Sequence, residues 1–227
     1  CEAAGIKPIS GSSIRVAFEE DDQSHELLCL AKTNQGHKNL MRIISLAHNN
    51  YNFQTPIIDF ASLTQLKDDI VVISGGKDSH IFNLLKRNKT EDAEKRIDQF
   101  LKAFDDDFVL EVQRTNRLNE NEYFANLLPL SSKKGIPLIA TNDVLFSKEE
   151  DFDIHETKVC INTGKTLNDP NREKLFSKEQ YFKSSAEMEG LFDGFDELIS
   201  NTIEISKKCN VSIHTKNYFL PEYPVPK

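Results

Sequence analysis

The stretch GIPLIATNDVLF, at 135–146, gives the strongest indication of the fold. An apolar run, PLIAT at 137–141, follows a glycine suited to ending a helix and leads directly into Asn142 and Asp143. A buried strand that ends in a carboxylate is typical of α/β proteins, whose sites lie at the carboxyl ends of the strands. The stretch therefore predicts a strand of an α/β fold and makes Asp143 a candidate site residue.

Two further apolar, β-branched runs predict strands of the same kind, IVVIS at 70–74 and FVLEVQ at 108–113. Each of the three runs is followed by a segment with helical periodicity. The clearest is 90–104, which has Thr90 as its predicted N-cap and acidic residues in its first turn. Its apolar face comprises Ile97, Phe100, Leu101 and Phe104. Alternating strands and helices predict a parallel α/β sheet or barrel.

Upstream of these runs, two strands and one helix are predicted. SIRVAF at 13–18 and ELLCLAK at 26–32 predict strands on either side of the acidic turn EEDD at 19–22. The next segment has apolar residues at helical spacing and is predicted as an amphipathic helix capped by Asn34. A second acidic group, DDD at 105–107, is predicted as another solvated turn.

Downstream, three more helices are predicted. Asn119 paired with Glu122 resembles a capping box, and the helix it opens is predicted to end at Gly135. A second capping box is predicted where Ser184 is followed three residues later by a glutamate. The last helix is predicted within 195–210. No internal repeat is evident, so these elements are assigned to one domain.

The composition is that of a globular domain. The chain has 227 residues, of which 38% are hydrophobic and 28% charged. No apolar run approaches the ~18 residues of a membrane span and no signal segment begins the chain, so a cytoplasmic location is predicted. The net charge of −8 argues against broad electrostatic binding of nucleic acid. The four cysteines form no C-x-x-C pair and are predicted to be free, mostly buried thiols.

The predicted carboxyl ends of the strands hold little metal chemistry. They comprise 74–76, 114–116 and 142–143, and together they offer one carboxylate and neither histidine nor cysteine. A multinuclear metal site needs several His, Asp or Glu ligands within a few ångströms of each other. This set does not supply them.

Two other segments carry alternative site hypotheses. VVISGGKDS at 71–79 suggests a phosphate cradle; it departs from a Walker A loop at Val71 and Asp78 but matches the S-G-G-x-D-S pattern of PP-loop ATP pyrophosphatases. EDFDIHE at 150–156 sets His155 on one helical face with an aspartate, which is typical of a solvated helix start. The histidines form no metal-binding motif, so packing or surface positions are predicted for all of them. They are His25, His37, His48, His80, His155 and His214.

Segments along nearly the whole chain resemble, in order, the PHP (polymerase and histidinol phosphatase) domain of bacterial replicative DNA polymerase III alpha subunits. The main segments are AGIKPISG (4–11), LLCLAKTNQGHKNLMRIISLAH (27–48), VVISGG (71–76), LEVQRTNR (110–117), IPLIATNDVLF (136–146), DFDIHETKVCINTGKTLNDPNR (151–172) and FKSSAEMEGLF (182–192). This match is far more specific than one hexapeptide. It makes the SGG segment an ordinary strand end and disfavours the PP-loop hypothesis.

The resemblance implies a distorted (β/α)7 barrel that is incomplete at its N-terminus. Residues 1–212 are expected to form the PHP domain without its first segment, which in the family carries an H-x-H motif and an Asp–His pair. Residues 213–227 are expected to form an extended linker toward a polymerase palm. Both ends of the chain are expected to be cuts in a longer polypeptide, and the missing strands to leave a sheet edge exposed.

The family's metal ligands can be compared with this chain position by position. The Glu after GIKPIIG, the Cys after SG, the His of LE-x-Q-x-H and the His of NDVH correspond to Ser13, Gly76, Thr115 and Leu145. Asp143 alone keeps its donor atoms. The resemblance therefore implies a vestigial metal position at Asp143, with no catalytic residue and no cofactor in this chain.

The functional hypothesis is a non-catalytic PHP domain of a DNA-directed DNA polymerase. The full-length polymerase would use Mg held by carboxylates outside this chain, and its other domains would contact DNA. The resemblance also implies two protein partners, the remainder of the alpha subunit and a separate proofreading exonuclease subunit. The alternative is a residual metal-dependent phosphoesterase, either a 3′–5′ exonuclease or a pyrophosphatase, that would use Asp143 and His155.

Overall fold

Six strands form one mixed sheet in the computed structural model of the chain, which describes residues 1–19, 23–49 and 55–213. The strands are β1 (Gly11–Ala17), β2 (Ser24–Ala31), β3 (Ile58–Asp59), β4 (Ile70–Ile73), β5 (Phe108–Gln113) and β6 (Leu138–Thr141). They lie in the order β3-β1-β2-β4-β5-β6. The two upstream runs predicted as strands are β1 and β2, and the three apolar runs are β4, β5 and β6, so all five predictions are confirmed.

Eight α-helices of the described residues connect and cover the strands. They are α1 (Asn34–Asn49), α2 (Phe60–Gln65), α3 (His80–Lys86), α4 (Thr90–Phe104), α5 (Glu120–Lys134), α6 (Phe152–Thr163), α7 (Ser185–Leu191) and α8 (Asp196–Lys208). The end of α5 at Gly135 and the capping box of Ser184 and Glu187 at α7 are confirmed. None of these helices is both long and apolar enough to cross a membrane.

The sheet is mixed: only β2 runs against its neighbours, while β3 and β1 at one end and β4, β5 and β6 at the other pair in parallel. β4, β5 and β6 run parallel, as predicted, whereas β2 runs antiparallel to both β1 and β4. A short connection such as that between β1 and β2 permits only antiparallel neighbours, because parallel neighbours need a longer crossover. The α/β class is therefore confirmed, and the finer prediction of a distorted (β/α)7 barrel stays a prediction.

The strand β4 lies at the centre of the core because both of its faces are buried. Ile70 and Val72 belong to the large apolar cluster that the sheet forms with α1 to α5. Val71 and Ile73 point to the opposite face, where Ile205 of α8 packs against them. Full burial of such a side chain stabilises the fold by roughly 1.5–3 kcal/mol. This explains why the run is uninterrupted by polar residues.

Two predicted helix caps and one predicted capping box are wrong for related reasons. Thr33, not Asn34, caps α1: its Oγ1 accepts hydrogen bonds from the backbone N–H groups two and three residues on, at 3.1 and 3.2 Å. Thr90 is the first residue of α4, whose N-cap position is Lys89. Asn119 does occupy the N-cap position of α5, but with a φ of 69° it makes no side-chain cap bond, so the capping box is absent. The backbone conformation at each helix entry, which residue type alone does not determine, selects the cap.

The predictions of free cysteines and of an acidic turn at 105–107 are confirmed. All four cysteines are free thiols, and Cys1 alone is exposed. The segment 105–107 forms a short 3-10 turn, in which Asp107 forms an ion pair with Lys32 at 2.6 Å. Most of the predicted turn EEDD, residues 20–22, lies outside the described residues.

The histidine predictions hold for the buried pair. His25 and His80 are buried, and their rings stack with centroids 4.1 Å apart, which is a packing arrangement as predicted. His37 lies 2.9 Å from the Ser10 hydroxyl through its Nδ1. His214 lies outside the described residues.

The outer edge of β6 is covered by side chains of α8. The Thr202 hydroxyl accepts a hydrogen bond from the Ala140 N–H at 3.2 Å and lies 3.1 Å from the Ala140 carbonyl oxygen. Asn201 Nδ2 donates to the Leu138 carbonyl at 2.9 Å. These bonds satisfy backbone groups that a neighbouring strand would otherwise pair with. α8 therefore protects β6 from edge-to-edge association.

Removing these side-chain bonds is expected to destabilise the protein. For the double variant Asn201→Ala, Thr202→Val, we expect a loss of about 2–3 kcal/mol in the free energy of unfolding, since each hydrogen bond contributes roughly 1 kcal/mol. Urea denaturation measures this loss, and sedimentation velocity measures self-association through the exposed edge. The matched control is Ser200→Ala, whose hydroxyl donates only to the Asp196 carbonyl. An equal loss in the control would contradict the role assigned to α8.

Candidate functional site

Asp143 lies at the carboxyl edge of the sheet, two residues after β6, as predicted. Its backbone adopts a φ of 40°, and its side chain is 38% exposed. Arg117 Nη1 donates to Asp143 Oδ2 at 2.8 Å, and Gln180 Nε2 donates to the same oxygen at 2.9 Å. The carboxylate that the sequence singled out is therefore already engaged by a cation and an amide of the protein.

The Arg117 guanidinium is the centre of the site. Its side chain is 7% exposed. Its Nε donates to Thr115 Oγ1 at 2.7 Å and to Glu120 Oε1 at 3.0 Å, and its Nη2 donates to Gln113 Oε1 at 2.7 Å. With the bond to Asp143, the guanidinium contacts four residues. A guanidinium is permanently charged and acts only as a donor, so these acceptors match its chemistry.

Glu120, the first residue of α5, holds the loop that carries Arg117. Its carboxylate accepts hydrogen bonds from the backbone N–H of Thr115 at 2.7 Å and of Arg117 at 3.2 Å. The Thr115 hydroxyl donates to it at 2.6 Å. Glu120 is 5% exposed, so these donors and the ion pair compensate a buried charge. This closure of the loop replaces the capping box predicted for Asn119 and Glu122.

The space around Gly76 is filled by Gln113. A Cβ built at Gly76 would lie 2.8 Å from the amide carbon of Gln113, closer than real Cβ contacts come. The same amide donates to Glu111 Oε1 at 3.1 Å and to Thr141 Oγ1 at 3.2 Å. A cysteine at position 76, where the resemblance places one, would have to displace a side chain that is hydrogen-bonded on both sides.

The side chains of the remaining predicted positions make no described hydrogen bond to Arg117 or Asp143. Ser13 is an exposed residue of β1, opposite Leu28 of β2. Leu145 is 39% exposed, and its backbone N–H donates to the Gln180 carbonyl at 2.8 Å. The His155 ring packs against two phenylalanine rings. Across the described residues, no three His, Cys, Asp or Glu side chains are placed to hold a metal ion.

These residues do not fit the metal site that the family resemblance implies. A divalent cation needs several converging carboxylate, imidazole or thiolate ligands. Here the one carboxylate at a family ligand position has the positive charge of Arg117 within hydrogen-bonding distance. Because like charges at such a distance repel, a metal ion and this guanidinium are alternatives at Asp143.

Sequence reasoning missed Glu111, a buried carboxyl group beside the site. It lies in β5, is 5% exposed, and accepts hydrogen bonds from the Thr141 hydroxyl and the Gln113 amide. Burial raises the pKa of Glu111, although the two hydrogen bonds oppose this shift. The signal was present in the sequence, because an acid within the apolar run FVLEVQ has no solvated face when the strand is buried on both sides.

The glycine turn after β4 is closed by its own residues. Gly75 has a φ of 80°, and the Ser79 N–H donates to the Gly76 carbonyl at 3.0 Å. Ser79 Oγ accepts a hydrogen bond from Phe82 N–H at 3.1 Å and so caps α3. A serine side chain therefore already accepts a hydrogen bond from one of the backbone N–H groups at the start of α3 that a phosphate cradle would use.

Comparison with known proteins finds similarity to the PHP domain and to DNA polymerase III alpha subunits. A family model described as PHP domain matches residues 1–115. The chain is 39% identical over 225 residues to the DNA polymerase III subunit alpha of Pseudomonas aeruginosa, covering 98% of this chain and 19% of that protein. The same subunit of Vibrio cholerae serotype O1 is 39% identical over 222 residues, with 97% and 19% coverage. That of Escherichia coli (strain K12) is 38% identical over 224 residues, again with 97% and 19% coverage. The chain thus spans 19% of the length of these relatives.

Removing the Arg117 guanidinium is expected to be strongly destabilising. For Arg117→Met we expect a loss of about 3–5 kcal/mol in the free energy of unfolding, because buried Glu120 loses its ion-pair partner. Arg117→Lys should lose less, since an ammonium keeps the charge but not the planar set of donors. Urea denaturation at neutral pH measures both. The control is the exposed Arg87→Met, and an Arg117→Met loss no larger than that of this control would contradict the central role of the guanidinium.

The raised pKa of Glu111 predicts a pH-dependent stability. The stabilising contribution of its proton is fully present below the unfolded pKa and is lost as the pH rises through the raised folded pKa. Glu111→Gln keeps an oxygen acceptor but does not ionise. The variant should gain stability relative to the parent protein as the pH rises from about 4, the ordinary range of a glutamate, until Glu111 is ionised in the folded protein.

Urea denaturation across this pH range tests the Glu111 prediction. The matched control is Glu122→Gln, an exposed position of α5. If the difference in stability between Glu111→Gln and the parent stays constant with pH, the assigned titration is wrong.

Proposed function

This chain belongs to the PHP domain family, and on that premise we propose that it is the N-terminal PHP domain of a bacterial DNA polymerase III alpha subunit, without catalysis of its own. The match of the family model to residues 1–115 and the similarity of nearly the whole chain to alpha subunits of several bacteria support this proposal. Because the chain spans 19% of the length of those relatives, DNA-templated DNA synthesis by the whole protein is part of the proposal.

The observation that carries the non-catalytic assignment is the ion pair of Arg117 with Asp143, at 2.8 Å. Metal-dependent phosphoester hydrolysis needs an ion that polarises the phosphate and activates a water molecule. At this edge of the sheet the positive charge is a guanidinium whose donors are directed at protein acceptors. It has no exchangeable coordination position from which a water molecule could be activated.

The chemistry of the whole protein is assigned to residues outside this chain. We place the Mg²⁺ ions of nucleotide addition and the contacts with DNA in other domains of the alpha subunit. Residues 1–212 would form the distorted (β/α)7 barrel and 213–227 a linker toward the polymerase palm; 214–227 lie outside the described residues. A cytoplasmic location is part of the same proposal.

The domain is proposed to act as a structural and docking module. Its partners would be the remainder of the alpha subunit and a separate proofreading exonuclease subunit. Large apolar side chains on the surface support a docking role, among them Ile161 and Phe182, which are 77% and 75% exposed. Apolar groups of this size are more favourable when another surface covers them.

The alternative, a residual phosphoesterase, has less support. It needs Asp143 and His155 in one metal site, whereas the described contacts of the His155 ring are with Phe146 and Phe176. Asp143 is held instead by Arg117 and Gln180.

Metal content and hydrolysis distinguish the two functions. After dialysis, the purified protein is expected to hold far less than one equivalent of zinc or manganese by plasma mass spectrometry. It should not hydrolyse a 3′-labelled oligonucleotide or pyrophosphate above the buffer rate with either metal added. Asp143→Ala should leave both results unchanged. Stoichiometric metal, together with hydrolysis that Asp143→Ala abolishes, would contradict the non-catalytic assignment.

A further inference from the structure

The helix α1 differs in charge from the other long helices of the described residues. Its 16 residues contain no aspartate or glutamate, although the chain has 36 acidic residues and a net charge of −8. The helices α4, α5, α6 and α8 each carry at least two acidic residues. α1 therefore presents a local cationic surface on an acidic protein.

The cationic residues of α1 flank an apolar groove. Lys38, Met41, Arg42 and Ser45 follow the spacing i, i+3, i+4, i+7 and so share one helix face. With Leu46, and with Leu66 from the end of α2, they line an open groove of about 620 Å³. Met41 is 48% exposed and Leu46 is 37% exposed.

Lys38 and Arg42 are exposed, and neither forms an ion pair with any of the residues that the structure describes. Several other cations of the described residues do form ion pairs with carboxylates; Lys133, for example, lies 2.5 Å from Glu94. Two unpaired cations lie beside two exposed apolar side chains. A partner of this surface must therefore supply both negative charge and apolar side chains.

We propose that this groove, lined by Lys38, Met41, Arg42, Ser45, Leu46 and Leu66, docks an acidic amphipathic helix of a partner protein. Leucine-type side chains of the partner would cover Met41 and Leu46, and its carboxylates would lie over Lys38 and Arg42. This is the helix-in-groove mode, in which apolar anchors recur at i, i+3 or i+4 and i+7. Methionine suits such a surface because its flexible side chain adapts to the partner.

The same observations disfavour other occupants. A nucleic acid would place its phosphates on the two cations but would leave Met41 and Leu46 in water, and the groove has no aromatic side chain on which a base could stack. The net charge of the chain, −8, also opposes long-range attraction of any polyanion. An anionic membrane surface needs a broader apolar face than two side chains supply. The inference does not depend on the polymerase role proposed above.

Fluorescence anisotropy with the full chain tests the proposal. The probe is a labelled 18-residue helical peptide with leucines at i, i+4, i+7 and i+11 and glutamates flanking them. Binding on the order of 10–100 μM is expected, since the contact is at the small end of protein interfaces. Lys38→Glu, Arg42→Glu should weaken it at least tenfold. The control Lys86→Glu, Lys102→Glu makes the same charge change at exposed positions of α3 and α4 and should change binding less than twofold.

Three results would overturn the proposal. The first is an equal loss in both double variants, with circular dichroism showing both to be folded. The second is equal binding of a peptide with the leucines replaced by serine, which would reduce the contact to non-specific charge attraction. The third is tighter, groove-dependent binding of a single-stranded oligonucleotide or of phosphatidylserine vesicles. Restored binding of a lysine-flanked peptide to Lys38→Glu, Arg42→Glu would give independent support.

Discussion

The carboxyl edge of the sheet depends on one buried positive charge, the guanidinium of Arg117. Its acceptors come from the end of β5, from the loop after it, from the start of α5 and from the residues after β6. A charge that is 7% exposed is tolerated only when its donors are satisfied, so these four segments are held in one arrangement. The Arg117 network thus acts as a structural crosslink at the place where α/β proteins usually keep their chemistry.

A metal ion and an arginine can each neutralise acidic side chains, but they need different arrangements of ligands. Acidic side chains gathered at a strand edge need a positive charge nearby. A metal ion supplies it only if several ligands converge on one point, whereas a guanidinium spreads its donors over a plane and accepts a looser set of partners. Here Arg117 supplies the positive charge at Asp143, and the fold is kept although Gly76 and Leu145 carry no ligand atom.

The sequence predicted the elements of this fold better than their junctions. Apolar β-branched runs located β4, β5 and β6, because burial on both faces leaves no room for another pattern. The caps at Asn34 and Thr90 and the capping box at Asn119 were wrong, since a cap depends on the backbone angles at the helix entry. Asp143 was located by its place after a strand, but its partner Arg117 lies 26 residues away, and no local pattern connects the two. Glu111 could have been found from its position within an apolar strand.

The side-chain amide of Gln113 lies between Arg117 and Glu111. Its Oε1 accepts from Arg117 and its Nε2 donates to Glu111, so one amide faces a cation on one side and a carboxyl group on the other. Each of the three guanidinium nitrogens of Arg117 donates to another acceptor, and none of the described bonds of Arg117 reaches Glu111. Glu111 therefore receives neutral donors only, which is why burial prevails and raises its pKa. Two buried carboxyl groups, Glu120 and Glu111, thus meet opposite conditions: one is paired with a charge and the other is solvated by an amide and a hydroxyl.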